Sequence, residues 1–226
     1  MKRLIVLRPP ERAAGTLARI AEAGGEGANL PLFALEALAW AAPDLVAFDA
    51  LALTSANAMR LAGAELASLA GLAAWAVGEA TAAAARDAGL RIVHTGNADA
   101  TALFAAMADA GVTRALWLAG EDHRPAPPAP ALTIIETYRA VPLAIDIAPL
   151  AGAVVLVHSP RAAARLAELV TPELRAAVDL AAISRAAADA AGTCWASIVV
   201  APRPTDEALV ATAIDRARAH ADKRAR

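Results

Sequence analysis

The chain has 226 residues, of which 58% are hydrophobic and 19% charged, and its formal net charge is −2. This length accommodates two domains of roughly 100 residues each, and the composition is that of a folded protein rather than a disordered one. The charge gives no general basic field for nucleic acid, and no apolar stretch reaches the roughly 18 residues of a membrane span. One cysteine, Cys194, cannot form an internal disulfide, which is typical of a reducing compartment such as the cytoplasm.

Short apolar runs, each followed by a polar turn and an alanine-rich helical segment, recur along the whole chain. Strands that alternate with helices at this spacing indicate an α/β protein with parallel sheets and right-handed crossovers. The predicted strands are Leu4–Leu7, Ala50–Leu53, Ala73–Val77, Arg91–His94, Ala115–Leu118, Val154–Val157, Leu180–Ile183 and Ile198–Val200.

An internal repeat divides the chain. Three segments of the first half resemble three segments of the second half in the same order, at an offset of roughly 105 residues, which indicates two similar α/β units. The β-prone segments 30–33 and 136–143 bracket the first repeat. If they pair as a ribbon, the first repeat is inserted into the second. We therefore predict one domain from residues 1–31 and 144–226, an inserted domain from 37–136, and linkers at 32–36 and 137–143.

A proline-rich segment lies between the predicted strand at 115–118 and the second linker. Residues 121–132 read EDHRPAPPAPAL. Proline removes a backbone donor and clashes with the preceding helical turn, so this segment is predicted to be extended and to contain no helix.

Polar residues follow most of the predicted strands, at or near the first turn of the next helix. Ligands of open parallel sheets bind beyond the carboxyl ends of the strands, and free N–H groups at helix N-termini bind anions. Hydroxyl and guanidinium groups there add donors, and two such rims would suit a polyanion. The alternative is that the serines and threonines are ordinary helix caps. The candidate binding residues are Arg8, Thr54, Ser55, Thr81, Ser159 and Ser184.

The sequence gives little support for metal binding, nucleotide binding or catalysis by a serine nucleophile. The four histidines and Cys194 do not have metal-ligand spacing, so we predict no metal site. The chain contains neither a phosphate-binding glycine-lysine loop nor a GxGxxG motif, and no GxSxG elbow makes Ser55 or Ser159 a recognisable nucleophile. These patterns alone indicate a two-domain α/β protein with anion-binding strand ends.

The ordered set of short motifs resembles the uroporphyrinogen-III synthase family. The resemblance covers nearly the whole length, although no single motif is specific. The motifs are Arg8-Pro9, Leu30-Pro31-Leu32, Asp49 with Thr54-Ser55-Ala56-Asn57, Val77-Gly78-Glu79-Ala80-Thr81-Ala82, Gly120-Glu121, Tyr138-Arg139-Ala140-Val141-Pro142, Ser159-Pro160 and the segment from Pro202 to Leu209.

The resemblance implies a monomeric, cofactor-free cytoplasmic enzyme of haem biosynthesis, a cyclising hydro-lyase. Its substrate is hydroxymethylbilane, a flexible chain of four pyrroles with eight carboxylates. Loss of the terminal hydroxyl as water gives an azafulvene. Attack at the substituted carbon of the last ring, through a spiro intermediate, then inverts that ring, whereas unassisted closure gives the type I isomer. Control of conformation and help with hydroxyl departure are the enzyme's main tasks. Tyr138 occupies the family's linker position and is expected to aid that departure; a packed aromatic residue is the alternative.

Two departures from the family pattern leave a different class of function open, although the full ordered set of motifs disfavours it. The Ile-Gly-x-x-Thr-Ala motif of the second half is here Ile183-Ser184-Arg185-Ala186-Ala187-Ala188, and the proline-rich segment replaces a helix. The alternative is a divergent, non-catalytic α/β module that binds a small anionic ligand.

Overall fold

The structure, a computed structural model, describes residues 1–224, with the side chains of residues 1–219. Its contacts divide the chain into two compact units. Unit 1 combines Met1–Ala34 with the chain from Pro142 onward, and unit 2 is Leu35–Val141. Residues 225 and 226 of the predicted first domain lie outside the described residues.

Unit 1 contains a parallel sheet of five strands in the order β2-β1-β9-β10-β11. Apolar side chains cover both faces, as the continuous apolar runs of its central strands require. The strands are β1 (Leu4–Val6), β2 (Gly27–Asn29), β9 (Val154–Val157), β10 (Asp179–Ala182) and β11 (Ser197–Val200), and the helices are α1 (Pro10–Glu22), α5 (Pro160–Leu169), α6 (Pro172–Arg175), α7 (Arg185–Ala191) and α8 (Asp206–Arg224).

Alternation along the strands sends neighbouring side chains of unit 1 to opposite faces. Leu4 and Val6 face α1 and α8, where they contact Ile20 and Leu209 among others. Ile5 lies in the opposite core with residues of α5 and α7. The sheet is therefore sandwiched between two helical layers.

Unit 2 contains a six-stranded sheet in the order β3-β8-β7-β4-β5-β6. Helices α2 and α3 cover one face and α4 the other. The strands are β3 (Phe33–Ala37), β4 (Ala50–Leu53), β5 (Ala74–Ala76), β6 (Ile92–Thr95), β7 (Arg114–Gly120) and β8 (Ala131–Pro142), and the helices are α2 (Ala56–Leu61), α3 (Glu79–Asp87) and α4 (Ala100–Asp109).

The chain passes from one unit to the other in β3 and β8, which are neighbours in the sheet. The amide of Leu38 donates to the carbonyl of Thr137, and the amide of Leu143 to that of Leu32, both at 2.9 Å. Because the two residue numbers of each pair have the same sum, the strands are antiparallel. The predicted fold class, two parallel-sheet α/β units with a two-segment β-ribbon, is confirmed.

One predicted strand needs correction, and one strand was missed. The β-prone segment 30–33 is not itself a strand, since β3 begins only at Phe33, and the preceding strand at Gly27–Asn29 was not predicted. Proline at position 31 cannot donate to a ladder, whereas the three residues of β2 complete the edge of the first sheet beside β1. The proline-rich segment 121–130 contains no helix, as predicted, and it is mostly exposed.

Among residues 1–224, the structure has no helix with the length and apolar character needed to cross a membrane.

Candidate functional site

The carboxyl ends of β1 and β9 mark the topological switch point of unit 1. From β1 the chain moves through α1 to β2 on one side, and from β9 through α5 to β10 on the other. A crevice opens where neighbouring strands send their connections in opposite directions, and this is where open α/β sheets bind ligands.

A pocket of about 170 Å³ occupies this switch point. Arg8 and Ser159, both predicted binding residues, line it from the ends of β1 and β9. Ser159 is the N-cap of α5, and its Oγ accepts from the amide of Ala162 at 3.1 Å. The remaining lining residues are Leu7, Pro9, Arg12, Phe33, His158 and Ala162.

Asp206, the first residue of α8, forms a polar cluster behind this pocket. Its Oδ1 accepts from Thr16 Oγ1 at 2.8 Å and lies 3.2 Å from Nη1 of Arg8, while Oδ2 lies 2.7 Å from Nη1 of Arg19. His158 Nε2 lies 2.8 Å from Oδ1. The carboxylate thus ties together α8, α1 and the ends of β1 and β9. We call Arg8, Thr16, Arg19, His158 and Asp206 the Asp206 cluster.

Burial and hydrogen bonding together set the charge states of the Asp206 cluster. Burial lowers the pKa of His158, and the hydrogen bond to Asp206 offsets only part of this effect. The imidazole is therefore neutral at pH 7. Burial acts to raise the pKa of Asp206, but hydrogen bonds from Thr16 and His158 outweigh it, so that this pKa lies below its usual value. Asp206 is accordingly ionised at neutral pH.

In unit 2 the corresponding switch point lies between β4 and β7. Thr54 directly follows β4, and its Oγ1 accepts from Nε1 of Trp117 on β7 at 2.9 Å. Ser55 comes next and caps α2, where its Oγ accepts from the amide of Asn57 at 3.2 Å. Both predicted residues are half-buried at this strand end.

Tyr138 lies at the same switch point, on β8. Its hydroxyl donates to Oγ of Ser55 at 3.2 Å, while its ring packs against the apolar core beside α2. The structure therefore brings the predicted catalytic residue into contact with a predicted binding residue. Both interpretations of Tyr138 describe part of its environment, because the ring is packed and the hydroxyl reaches a polar strand end.

Gly120, the last residue of β7, makes room for this ring. A Cβ atom at Gly120 would lie 2.6 Å from Cζ and 2.9 Å from the hydroxyl oxygen of Tyr138. Such distances exclude any side chain while the ring keeps its position. The ring of Tyr138 therefore packs directly against the backbone of Gly120.

The helix-cap interpretation is correct for three of the predicted serines. Ser55, Ser159 and Ser184 each accept a backbone amide at the start of α2, α5 and α7. A cap uses the hydroxyl oxygen as acceptor and leaves the hydroxyl proton available, so capping and donation to a ligand are compatible.

Thr81 differs from the other predicted residues. It lies in the first turn of α3 and is only 5% exposed, so its side chain faces the interior of unit 2. The sequence position near a strand end was right, but the side chain offers little surface to a ligand.

Within residues 1–224, no group of three or more histidine, cysteine or acidic side chains could hold a metal ion.

A family model described as "Uroporphyrinogen-III synthase HemD" matches residues 15–211 of this chain. The chain belongs to the uroporphyrinogen-III synthase family. The match includes the switch point of unit 2 and much of unit 1, and the resemblance found from the ordered motifs is confirmed. A comparison with curated protein sequences finds no match to this chain.

Three solved structures similar to this family member come from Thermus thermophilus. A mutant uroporphyrinogen III synthase is 18% identical with a TM-score of 0.48, covering 97% of this chain and 100% of the other. A second synthase structure is 17% identical with a TM-score of 0.40, covering 96% and 100%. A wild-type synthase in another crystal form is 17% identical with a TM-score of 0.40, covering 99% of each chain.

Sequence reasoning missed the Asp206 cluster of this uroporphyrinogen-III synthase family member. Arg8 and Asp206 are 198 positions apart, and no local pattern predicts that they meet. The sequence signal for Asp206 was weak. Asp206 is an acidic residue in the first turn of the helix that follows Pro202-Arg203-Pro204-Thr205, which is a common position for an acidic residue. Asp49, part of the family motif, instead lies at the amino end of β4, where it accepts from Thr113 and Arg114.

Proposed function

We propose that this chain is a cyclising hydro-lyase that converts hydroxymethylbilane to uroporphyrinogen III, with inversion of the last pyrrole ring. In this reaction the C–O bond of the terminal hydroxymethyl group breaks, and the hydroxyl leaves with a proton as water. A C–C bond then forms between the resulting methylene carbon and the substituted carbon of the last ring, which gives the spiro intermediate. The bond from that ring carbon to its original methylene bridge breaks and re-forms at the free α carbon of the same ring, and loss of the proton from this carbon restores the pyrrole. Family membership supports this assignment.

The observation that carries the proposal is the contact between Tyr138 and Ser55 at the switch point of unit 2. A phenol that donates to a serine oxygen beside a strand end already points its proton toward polar surroundings. In the substrate complex, the leaving hydroxyl replaces Ser55 as the acceptor of this proton. Donation to an oxygen that becomes more basic as its C–O bond breaks stabilises the transition state more than the ground state.

The substrate carboxylates are bound by the donors at the strand ends of each unit. Arg8, Ser159 and Ser184 act in unit 1, and Thr54 and Ser55 in unit 2. Thr81 contributes only through its place in the first turn of α3, whose positive N-terminal dipole attracts a carboxylate, because its hydroxyl is buried and its amide donates to the carbonyl of Gly78 at 3.0 Å. Eight carboxylates shared among many donors give a folded bilane its geometry without reliance on any single residue.

Hydrogen-bond donors that fix the shape of the bound bilane suit a reaction in which the conformation of the substrate decides between the type III and type I isomers. The enzyme must hold the last ring so that its substituted carbon reaches the azafulvene before the open position closes to the type I product. Orientation of two reacting groups within one bound molecule can supply a large part of the rate acceleration. We propose that a single copy of the chain is sufficient, which size-exclusion chromatography with light scattering tests.

The decisive experiment incubates the purified chain with hydroxymethylbilane, oxidises the products and separates the type I and type III porphyrins. Excess type III over a protein-free incubation is the expected result. Product that is type I throughout, with retained binding of the bilane, would identify the chain as a non-catalytic anion-binding member of the family.

A further inference from the structure

Asp206 is the common acceptor of the Asp206 cluster. Its side chain is 18% exposed and receives four side chains that come from α1 and from the ends of β1 and β9. Arg8 is the only one of the four that also combines a positive charge with a place in the wall of the switch-point pocket. The contact of Asp206 with Arg8 is therefore the one that connects the carboxylate to the pocket.

The hydrogen bonds of Arg8 leave much of its guanidinium group unused. Nη1 makes both of its described bonds, to Thr16 at 3.3 Å and to Asp206 at 3.2 Å. A guanidinium has five N–H donors in a planar fork, so the donors on Nη2 and Nε remain for another acceptor. The side chain is 22% exposed and lines the pocket.

The charges of the Asp206 cluster favour an anion in the pocket. Arg8 and Arg19 contribute two positive charges and Asp206 one negative charge, while His158 is 8% exposed and neutral. The cluster therefore keeps one net positive charge. The pocket of about 170 Å³ is large enough for one short acidic side arm.

We propose that Asp206 is a positioning residue that holds Arg8 by one edge, so that the other edge of Arg8, together with Ser159, binds one carboxylate of the tetrapyrrole. This inference rests on the proposed function for the identity of the ligand. Without Asp206, a long arginine side chain would lose its fixed orientation, and the order regained on binding would weaken the complex.

A double-mutant cycle tests this relationship. The variants are Arg8→Ala, Asp206→Asn and the combination, and the readout is the Kd for uroporphyrin, an octacarboxylic tetrapyrrole whose fluorescence reports binding without turnover. We expect Arg8→Ala to raise Kd about tenfold, as for a lost charge-assisted contact, and Asp206→Asn to raise it about threefold to tenfold. In the Arg8→Ala background, Asp206→Asn should not raise Kd further, because the residue acts through Arg8 and its own negative charge opposes an anion.

Two companion variants separate positioning from folding. Asp215→Asn removes the same charge from an exposed site on α8 and should leave Kd unchanged. Asp206→Glu keeps an acceptor and should recover part of the lost affinity. Multiplicative effects of Arg8→Ala and Asp206→Asn on Kd, or a lowered Tm with unchanged Kd in Asp206→Asn, would overturn the inference.

The same variants distinguish failure of this inference from failure of the proposed function. If the wild-type chain forms no type III product but the uroporphyrin cycle behaves as expected, the proposed reaction fails and the role of Asp206 stands. If the wild type forms type III product and the cycle shows independent effects, the reaction stands and the role of Asp206 is wrong. A wild type that does not bind uroporphyrin overturns the inference directly.

Discussion

The hydroxyl of Tyr138 lies 3.2 Å from Oγ of Ser55, although the two residues are 83 positions apart in the chain. Tyr138 is the only tyrosine of the protein, and its ring is packed while its hydroxyl reaches the end of β4. Substitution of the hydroxyl alone therefore separates the chemical contribution of this residue from its packing.

Tyr138→Phe should lower the rate of type III formation by roughly 10²-fold, the low end for general acid assistance. The substrate KM should change little, because the hydrogen bond strengthens mainly as the C–O bond breaks. The loss of one hydrogen bond should cost about 1 kcal/mol of stability or less. Steady-state kinetics and thermal unfolding check these values. Equal turnover of variant and wild type would assign Tyr138 to packing alone.

Gly120→Ala should displace the ring of Tyr138, because the added Cβ would lie 2.6 Å from Cζ. With one tyrosine in the chain, 3-fluorotyrosine labelling gives a single ¹⁹F resonance that reports this ring directly. We expect that resonance to shift or broaden and activity to fall at least as far as in Tyr138→Phe. Gly71→Ala is the matched control, since its Cβ meets only Leu45 at 3.8 Å. An unchanged resonance in Gly120→Ala would contradict the role of this glycine.

Ser159→Ala should have a modest effect on both stability and activity. Removal of the cap of α5 should cost about 1 kcal/mol of unfolding free energy. Type III formation should fall by roughly tenfold or less, because the neighbouring backbone N–H groups remain and one neutral hydrogen bond is lost. Complete loss of activity in a folded Ser159→Ala protein would show that this hydroxyl has a chemical role beyond binding.

Acid should destabilise the chain through Asp179. This buried residue accepts from Lys2, Ser197 and Arg216 at the amino ends of the strands of unit 1. Burial acts to raise its pKa, but these three partners outweigh it and lower the pKa from 3.8 to about 2. A depressed folded-state pKa stabilises the protein above about pH 4, and this contribution disappears as the pH falls from about 4 toward 2.

Asp179→Asn checks this assignment by urea unfolding at several pH values. At pH 7 the variant should lose about 3 kcal/mol, as expected when one partner of a buried ionic group is removed. The difference from wild type should shrink below pH 4. A difference that stays constant down to pH 2 would show that the carboxylate charge is not the source of the stability.

The same variant tests the domain organisation. We propose that residues 1–31 with 144–226 and residues 37–136 are separate domains, joined by linkers at 32–36 and 137–143. Asp179→Asn should then speed hydrogen exchange in β1, although β1 lies far away in sequence, because β1 shares a sheet with β10. Exchange in β4 should stay at its wild-type rate. Equal acceleration in β1 and β4 would indicate one cooperative unit.

Strands buried on both faces were predictable from sequence because they need continuous apolar runs. Ala50–Leu53 and Val154–Val157 have the predicted bounds for this reason. β2 (Gly27–Asn29) escaped prediction, since three residues with a glycine and an asparagine carry no apolar pattern. Its place in the sheet comes from pairing with β1, which is a property of the whole fold.

The candidate site was predictable only where local structure places it. A serine before a helix predicts a cap at a strand end, and Ser55, Ser159 and Ser184 are caps. The partners across the fold could not be predicted, because the contact of Asp206 with Arg8 depends on how α8 packs against α1. Thr81 shows the converse: its sequence position fits a rim, while helix rotation turns its side chain inward.

The pairing of Leu4 with Val154 across the insertion of unit 2 has a consequence for biosynthesis. At roughly 5 to 20 residues per second, the ribosome needs about 10 to 30 s to travel from the first of these positions to the second. Until the end of that interval β1 has only the short edge strand β2 as a sheet partner, whereas every strand that unit 2 contributes to its own sheet between Ala50 and Pro142 is made within it. The nascent chain therefore carries the apolar strand β1 without its central partner β9 until Val154 has been made. One edge of β1 thus stays open while unit 2 is synthesised, and an open strand edge is a place where another chain can pair.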